Sequence, residues 1–196
     1  MKVGVISVQG AFPEHLAMAE QAMRHLGRTG TAISVRRVSD LDGAGAVILP
    51  GGESTTISRL MVRFGIFDRI LELAGEGVPI MGTCAGLVLL AKEGDEEVNR
   101  TETRLLGLMD MAVDRNAFGR QRESFETELR IKGMDKPFPA VFIRAPIIRR
   151  LWGGAEEIAR HKDGIVMAKQ ENLLALSFHP ELSKDTRVHE MLIGMA

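Results

Sequence analysis

One cysteine, Cys84, is all that the 196 residues contain. That excludes an internal disulfide framework and a cysteine-rich metal site. An excess of either charge is missing as well: 25 lysines and arginines face 26 aspartates and glutamates, a formal net charge of −1. Nothing in that balance points to nucleic acid or to an anionic membrane as a partner. No apolar run approaches the ~20 residues of a membrane helix. The apolar stretch at residues 3–8 meets Gln9, Pro13 and Glu14 too soon for a signal peptide, so a cytoplasmic location is expected. The sequon Asn99-Arg100-Thr101 is then without meaning, since so short a motif recurs by chance. Internal repeats, low-complexity tracts and linkers are absent too. What is there, 45% hydrophobic and 26% charged residues, is an ordinary globular balance, and the length suits one domain over residues 1–196.

The apolar pattern reads as strands alternating with helices. Residues 2–9, rich in Val and Ile, form a buried strand. Pro13 and Glu14 suit the first turn of a helix running to about Leu26, with Leu16, Ala19, Met23 and Leu26 on one face. Strands follow at 33–37 and 46–49, then helical segments at 57–64 and 66–74 broken at Gly65. A strand at 78–81 and a helix at 87–91 come next. Residues 92–103, polar and charged, are expected as an exposed loop. Further strands are expected at 109–114, 125–131, 140–143 and 173–177. Residues 157–161 and 165–169 flank Lys162-Asp163-Gly164 as a hairpin. A closing helix at 186–195 turns Val188, Met191 and Leu192 inward. The order predicts an α/β fold in three layers, a mainly parallel twisted sheet with helices on both faces.

Within that order, Gly82-Thr83-Cys84-Ala85-Gly86 falls between a strand and a helix. A nucleophile at such a turn is thrust out at the carboxyl edge of the sheet, and the strained backbone needs small neighbours. The helix N-terminus favours a thiolate at Cys84, and the N–H of Ala85 lies where an oxyanion would form. A buried structural cysteine is the plainer alternative. The stretch Pro50-Gly51-Gly52-Glu53-Ser54-Thr55-Thr56 opens a helix, with Ser and Thr as candidate N-caps. It reads as a phosphate cradle, a plain turn, or a second oxyanion donor through Gly52. No phosphate-loop or dinucleotide fingerprint accompanies it. If Gly52 is the second donor, one peptide flip in this loop switches activity.

A catalytic thiol needs a base, and the base needs an orienting group. Of the five histidines, His15, His25, His161 and His189 sit singly on helices or a hairpin, where a histidine is usually a surface or capped residue. His179 directly follows a buried strand, in Ser177-Phe178-His179-Pro180-Glu181-Leu182. Pro180 restricts His179 to an extended backbone, and residues two apart then point the same way, which sets Glu181 beside the imidazole to fix its tautomer. A rigid turn with two exposed polar groups is the alternative. Taken together, Cys84, His179 and Glu181 fill nucleophile, base and orienter for acyl transfer from a carbonyl substrate. The cationic run from Arg115 to Arg122 reads from composition as a solvated basic face.

With these residues in view, the chain resembles the class I (triad) glutamine amidotransferases. More narrowly, it resembles the glutaminase-subunit family of pyridoxal 5′-phosphate synthase. The resemblance is carried by Val8-Gln9-Gly10, Leu49-Pro50-Gly51-Gly52-Glu53-Ser54-Thr55-Thr56 and Gly82-Thr83-Cys84-Ala85-Gly86-Leu87. It continues through Arg115-Asn116-x-Phe118-Gly119-Arg120-Gln121, Phe142-Ile143-Arg144-Ala145-Pro146 and the segment around His179, in family order over nearly the whole chain. It implies a flavodoxin-like fold and hydrolysis of glutamine to glutamate and ammonia by a triad of Cys84, His179 and Glu181. Gly52, Glu53, Ser54, Arg115, Ile143 and Arg144 match the family's glutamine-binding positions. Arg120 and Arg122 remain a solvated face. No cofactor and no metal are implied. The implied partner is a barrel-shaped synthase subunit that takes up the ammonia within a large hetero-oligomer. A glutaminase subunit of a histidine or nucleotide pathway, and a catalytically idle regulatory subunit, are the competing readings.

Overall fold

The computed structural model describes residues 1–115, 124–162 and 164–196. β1 (Lys2–Ile6) leads into α1 (Phe12–His25) and β2 (Thr31–Val35). A single 3-10 turn at Val38–Leu41 then precedes β3 (Ala46–Leu49). α2 (Ser54–Arg63), α3 (Ile66–Gly75), β4 (Ile80–Thr83) and α4 (Ala85–Leu90) follow. Next come β5 (Ala91–Glu93), α5 (Glu96–Arg100), β6 (Met109–Asp114), β7 (Ser124–Leu129), β8 (Phe138–Ile143) and β9 (Ile147–Leu151). The chain closes with β10 (Glu156–His161), β11 (Gly164–Gln170), β12 (Leu173–Leu176) and α6 (Arg187–Gly194).

Among the described residues one sheet runs β2-β1-β3-β4-β12-β11-β9-β6-β5, with β10 added against β11, while β7 pairs with β8 as a separate ribbon. From β2 to β12 every pairing is parallel. Beyond β12 the sheet continues antiparallel through β11, β9 and β6, and β5 is parallel to β6. Side chains alternate between two cores, as the two-residue strand period requires. On β3, Val47 and Leu49 join Ile57, Met61 and Ile70 of α2 and α3. Ala46 and Ile48 face the opposite way, onto Ala22 and Met23 of α1 and Val188 and Leu192 of α6. The expected α/β sheet with helices on both faces is the fold found.

Several local expectations are corrected. The inner face of α1 is His15, Met18, Ala19, Ala22 and Met23, whereas Leu26 lies exposed at the helix C-cap. Burying a histidine shifts the stripe, because α1 packs against another histidine on α6. α2 starts at Ser54, and its N-cap is Glu53, whose carboxylate accepts from the N–H groups of Thr55 and Thr56. Residues 92–103 are no solvated loop: β5 ends there, α5 forms, and Val98 and Thr103 are buried. β9 has no counterpart among the expected strands. Met191 is only partly buried, while Val188 and Leu192 face the core. Asp163 of the expected hairpin turn lies outside the described residues; β10 and β11 on either side do pair antiparallel.

Candidate active site

Four adjacent parallel strands deliver the site from their carboxyl ends. Gln9 follows β1, Gly51 to Ser54 follow β3, Cys84 follows β4 and His179 follows β12. β3 and β12 flank β4, pairing Leu49 with Gly82 and Leu176 with Thr83. The N–H of Cys84 donates to Leu176 O over 2.8 Å, which pins the turn to the neighbouring strand. Cys84 caps α4 at φ 49° and ψ −102°. That left-handed conformation is strained for a residue with a side chain and is held by its surroundings. The surroundings are close indeed: a Cβ on Gly82 would stand 2.4 Å from Gly86 O, and one on Gly86 would stand 2.1 Å from Leu49 O.

His179 and Glu181 meet as expected, but by a different local route. Residues Pro180–Leu182 wind into one 3-10 turn rather than an extended segment. That turn carries Glu181 Oε1 to 2.7 Å from His179 Nδ1. The His179 N–H donates to Val141 O of β8 over 2.8 Å, tying the segment to the ribbon. Burial alone would lower the imidazole's pKa. The Cys84 sulfur and the Glu181 carboxylate beside it override that effect and push it up to about 10. Gly51 fits under the ring, since a Cβ there would lie 2.4 Å from His179 Cε1. Cys84 Sγ is 3.9 Å from Ile143 O.

Cys84, Ala85, His179, Gly52, Glu53, Ser54, Arg115, Ile143 and Arg144, all expected from the sequence, line one cavity of about 450 Å³. Glu181 is buried behind His179 and is not part of the lining. Ala85 opens α4, so its N–H has no partner within the helix. Ser54 Oγ is buried with no hydrogen-bond partner among the described residues. Arg144 is held at φ 42°. Arg115 donates through Nη2 to Glu53 Oε1 over 3.1 Å. Partial burial opposes ionisation of Glu53, yet hydrogen bonds from Thr56 and Thr55 bring its pKa down to about 2. Its carboxylate is thus a fixed anion shared between a helix cap and Arg115. Residues 116–121 of the basic motif, with Arg120, and Arg122 lie outside the described residues.

A family model described as the SNO glutamine amidotransferase family matches residues 5–196. The chain belongs to the SNO glutamine amidotransferase family. It is 53% identical over 195 residues to a protein of Archaeoglobus fulgidus named pyridoxal 5′-phosphate synthase subunit PdxT, covering 100% of this chain and 98% of that one. A protein of the same name from Thermococcus onnurineus is 50% identical over 197 residues, covering 100% and 99%. A solved glutamine amidotransferase superposes with a TM-score of 0.87 at 45% identity, over 98% of this chain and 97% of that one. A glutamine amidotransferase from Thermotoga maritima, 16% identical with a TM-score of 0.64 over 96% and 80%, shares the fold. The chain is therefore an enzyme of the glutamine amidotransferase class. None of the helices described is long and apolar enough to cross a membrane.

Several residues of this family member's site escape a reading of the sequence. Gln9 lines the cavity, and its Oε1 accepts from the Glu53 N–H over 3.0 Å. The Thr55 hydroxyl, which lies 3.5 Å from Arg115 Nη1, meets Thr103 Oγ1 at 2.7 Å, and Thr101 Oγ1 joins Thr103 at 2.8 Å. Asp95 caps α5 and accepts from the Arg115 N–H over 2.8 Å. The polar segment 92–103 thus stands behind Arg115. No local pattern signals this, because Asp95 is 20 residues from Arg115, Thr103 is 48 from Thr55, and Thr55 is 60 from Arg115. His15 and His189, expected as surface or capped residues, are fully buried.

Proposed function

We propose that this chain hydrolyses L-glutamine to L-glutamate and ammonia, with Cys84 as nucleophile, His179 as general base and acid, and Glu181 as the group that orients His179. The observation that carries the reading is the meeting of these three residues at the carboxyl edge of β4 and β12, beside a cavity lined by Gly52 and Ala85. Arg115 and Arg144 supply cationic partners for the substrate carboxylate. Glu53 and the Ile143 carbonyl face its ammonium, and Ser54 Oγ, without a partner among the described residues, is placed to bond the substrate. The raised pKa favours an imidazolium at His179 near neutral pH, beside the Cys84 sulfur. The sulfur attacks the carboxamide carbon, and the oxyanion is held by the N–H groups of Ala85 and Gly52; each such donor contributes about 3 kcal/mol. His179 protonates the departing nitrogen, which leaves as ammonia. It then takes a proton from the water that cleaves the thioester.

The names of the relatives support a place in pyridoxal 5′-phosphate synthesis. The chain acts there as one cytoplasmic domain that delivers ammonia to a barrel-shaped synthase subunit in a large hetero-oligomer. No step of the scheme uses a cofactor or a metal. Ammonia release measured with and without the synthase subunit tests both halves of this reading. Cys84→Ala should abolish release and leave the fold intact, and His179→Asn should come close to it. Retained activity in Cys84→Ala removes the nucleophile assignment, and equal rates with and without the synthase remove the partner.

A further inference from the structure

Behind Glu181 lies a second pair of imidazoles that the mechanism above does not use. His15 of α1 and His189 of α6 are fully buried, with His15 Nδ1 at 3.0 Å from His189 Nε2. His15 Nε2 lies 3.2 Å from Thr83 Oγ1, the residue just before Cys84. The same nitrogen is 3.2 Å from Glu181 Oε2. That oxygen is buried and has no aligned hydrogen-bond donor among the described residues, and the His15 imidazole stands against it. The titratable groups facing Glu181 are His179 on its own segment, His15 from α1 and, one step further, His189 from α6; Cys84 lies across His179.

The protons on this pair are fixed by elimination. Suppose His15 carried its proton on Nδ1 and donated to His189. Its Nε2 lone pair would then face a carboxylate oxygen at 3.2 Å. His189 would be left with an N–H on Nδ1, an atom that is buried and without a partner among the described residues. An orphaned buried N–H is rarer and costlier than an unshared lone pair. The opposite arrangement removes both faults. His189 Nε2–H donates to His15 Nδ1, and His15 Nε2–H donates to Thr83 Oγ1 while its positive end stays 3.2 Å from Glu181 Oε2. The atom left over is the lone pair on His189 Nδ1.

We infer that His15 is a positioning residue: its Nε2–H, set by His189, links the nucleophile turn at Thr83 to the carboxylate of Glu181 and holds that carboxylate toward His179. Two helices from the amino- and carboxyl-terminal ends of the chain thereby set the geometry of the triad from behind. The inference rests on the glutaminase reading for its kinetic consequence but not for its geometry. Without the His15 N–H, Glu181 can turn, and its support of the His179 imidazolium weakens.

The test is the titration of His179, followed by imidazole NMR on the intact chain, which needs neither glutamine nor a partner. His15→Leu should lower the His179 midpoint by about one pH unit. His15→Gln, which keeps an N–H near the same place, should restore most of it. In ammonia release with the synthase subunit, His15→Leu should lower kcat about tenfold or more with KM nearly unchanged. An unmoved His179 midpoint in His15→Leu overturns the inference, whatever happens to activity. If His15→Leu does not fold, the tautomers of the unmodified protein decide: His15 and His189 both protonated on Nε2 support the inference, and His15 protonated on Nδ1 overturns it. A wild-type chain that releases no ammonia with its partner would instead remove the glutaminase reading and leave the NMR result standing.

Discussion

Two imidazoles, His15 and His189, are wholly enclosed, and enclosure disfavours their charged forms. Burial brings His189 down to about 3, and burial followed by the nearby His189 and His179 holds His15 well below its ordinary value. Unfolded, each takes up a proton near pH 6.5. Between about 6.5 and about 3 the unfolded chain therefore binds more protons than the folded one, so stability falls as pH drops through that window. His189→Leu should remove about one proton from the difference and flatten the acid limb of melting temperature against pH. An unchanged slope in the variant would mean that His189 is protonated in the fold. His179 behaves oppositely: with its pKa raised to about 10, its contribution is complete below about 6.5 and lost as pH rises through 10. This contrast is half legible in the sequence. His179 stands out because Pro180 and Glu181 flank it. His15 and His189 do not, because each finds its partner 174 residues away, and nothing local marks a helical histidine as buried.

The turn that carries Cys84 depends on how closely α4 lies against β3. Substituting alanine at Gly86 tests that contact, and two effects oppose each other. Alanine favours a helix over glycine by about 1 kcal/mol. Against this, the new methyl would stand 2.1 Å from the carbonyl oxygen of Leu49, a backbone atom that moves only with its strand. Forced repacking of this kind costs about 1–3 kcal/mol. Gly86→Ala should therefore be less stable in urea. It should also lose more ammonia release than its stability loss explains, because Leu49 leads directly into Gly51 and Gly52. Greater stability with full activity would show that the strand yields freely. Elements of this kind are legible where an apolar run meets glycine, as at β3, β4 and α4, although β4 lies two residues later than expected. The segment 92–103 misleads because its charges suggest solvent. Its threonines and Asp95 are instead spent on Thr55 and Arg115, and only tertiary structure supplies that pairing.

Across the whole molecule, the catalytic edge is assembled from the main sheet and from a ribbon that does not belong to it. Among the described strands β7 and β8 pair only with each other, yet β8 ends at Ile143 and leads into Arg144 in the cavity wall. Aromatic packing attaches the ribbon. Within the ribbon Phe142 stacks on Phe125 at 4.7 Å; toward the sheet its ring centre is 5.7 Å from that of Phe178, the residue before His179, and Phe138 lies at the same distance from Phe178. The sequence pattern places strands at 125–131 and 140–143 without indicating that they leave the main sheet, since strand pairing over such distances is set by packing and not by local propensity. Phe142 is buried, and Phe142→Ala removes one of the two ribbon rings packed on Phe178 at a cost of about 3–5 kcal/mol. The loss should appear at the site as well as in the denaturation midpoint. His179 N–H donates to Val141 O, and Cys84 Sγ rests near Ile143 O, so a loosened ribbon shifts both reacting groups and the substrate wall together. Phe142→Leu, which keeps most of the apolar volume, should retain stability to within about 1.5 kcal/mol and most of the ammonia release. If Phe142→Ala loses stability but the folded fraction hydrolyses glutamine at the wild-type rate, then the ribbon does not position the site.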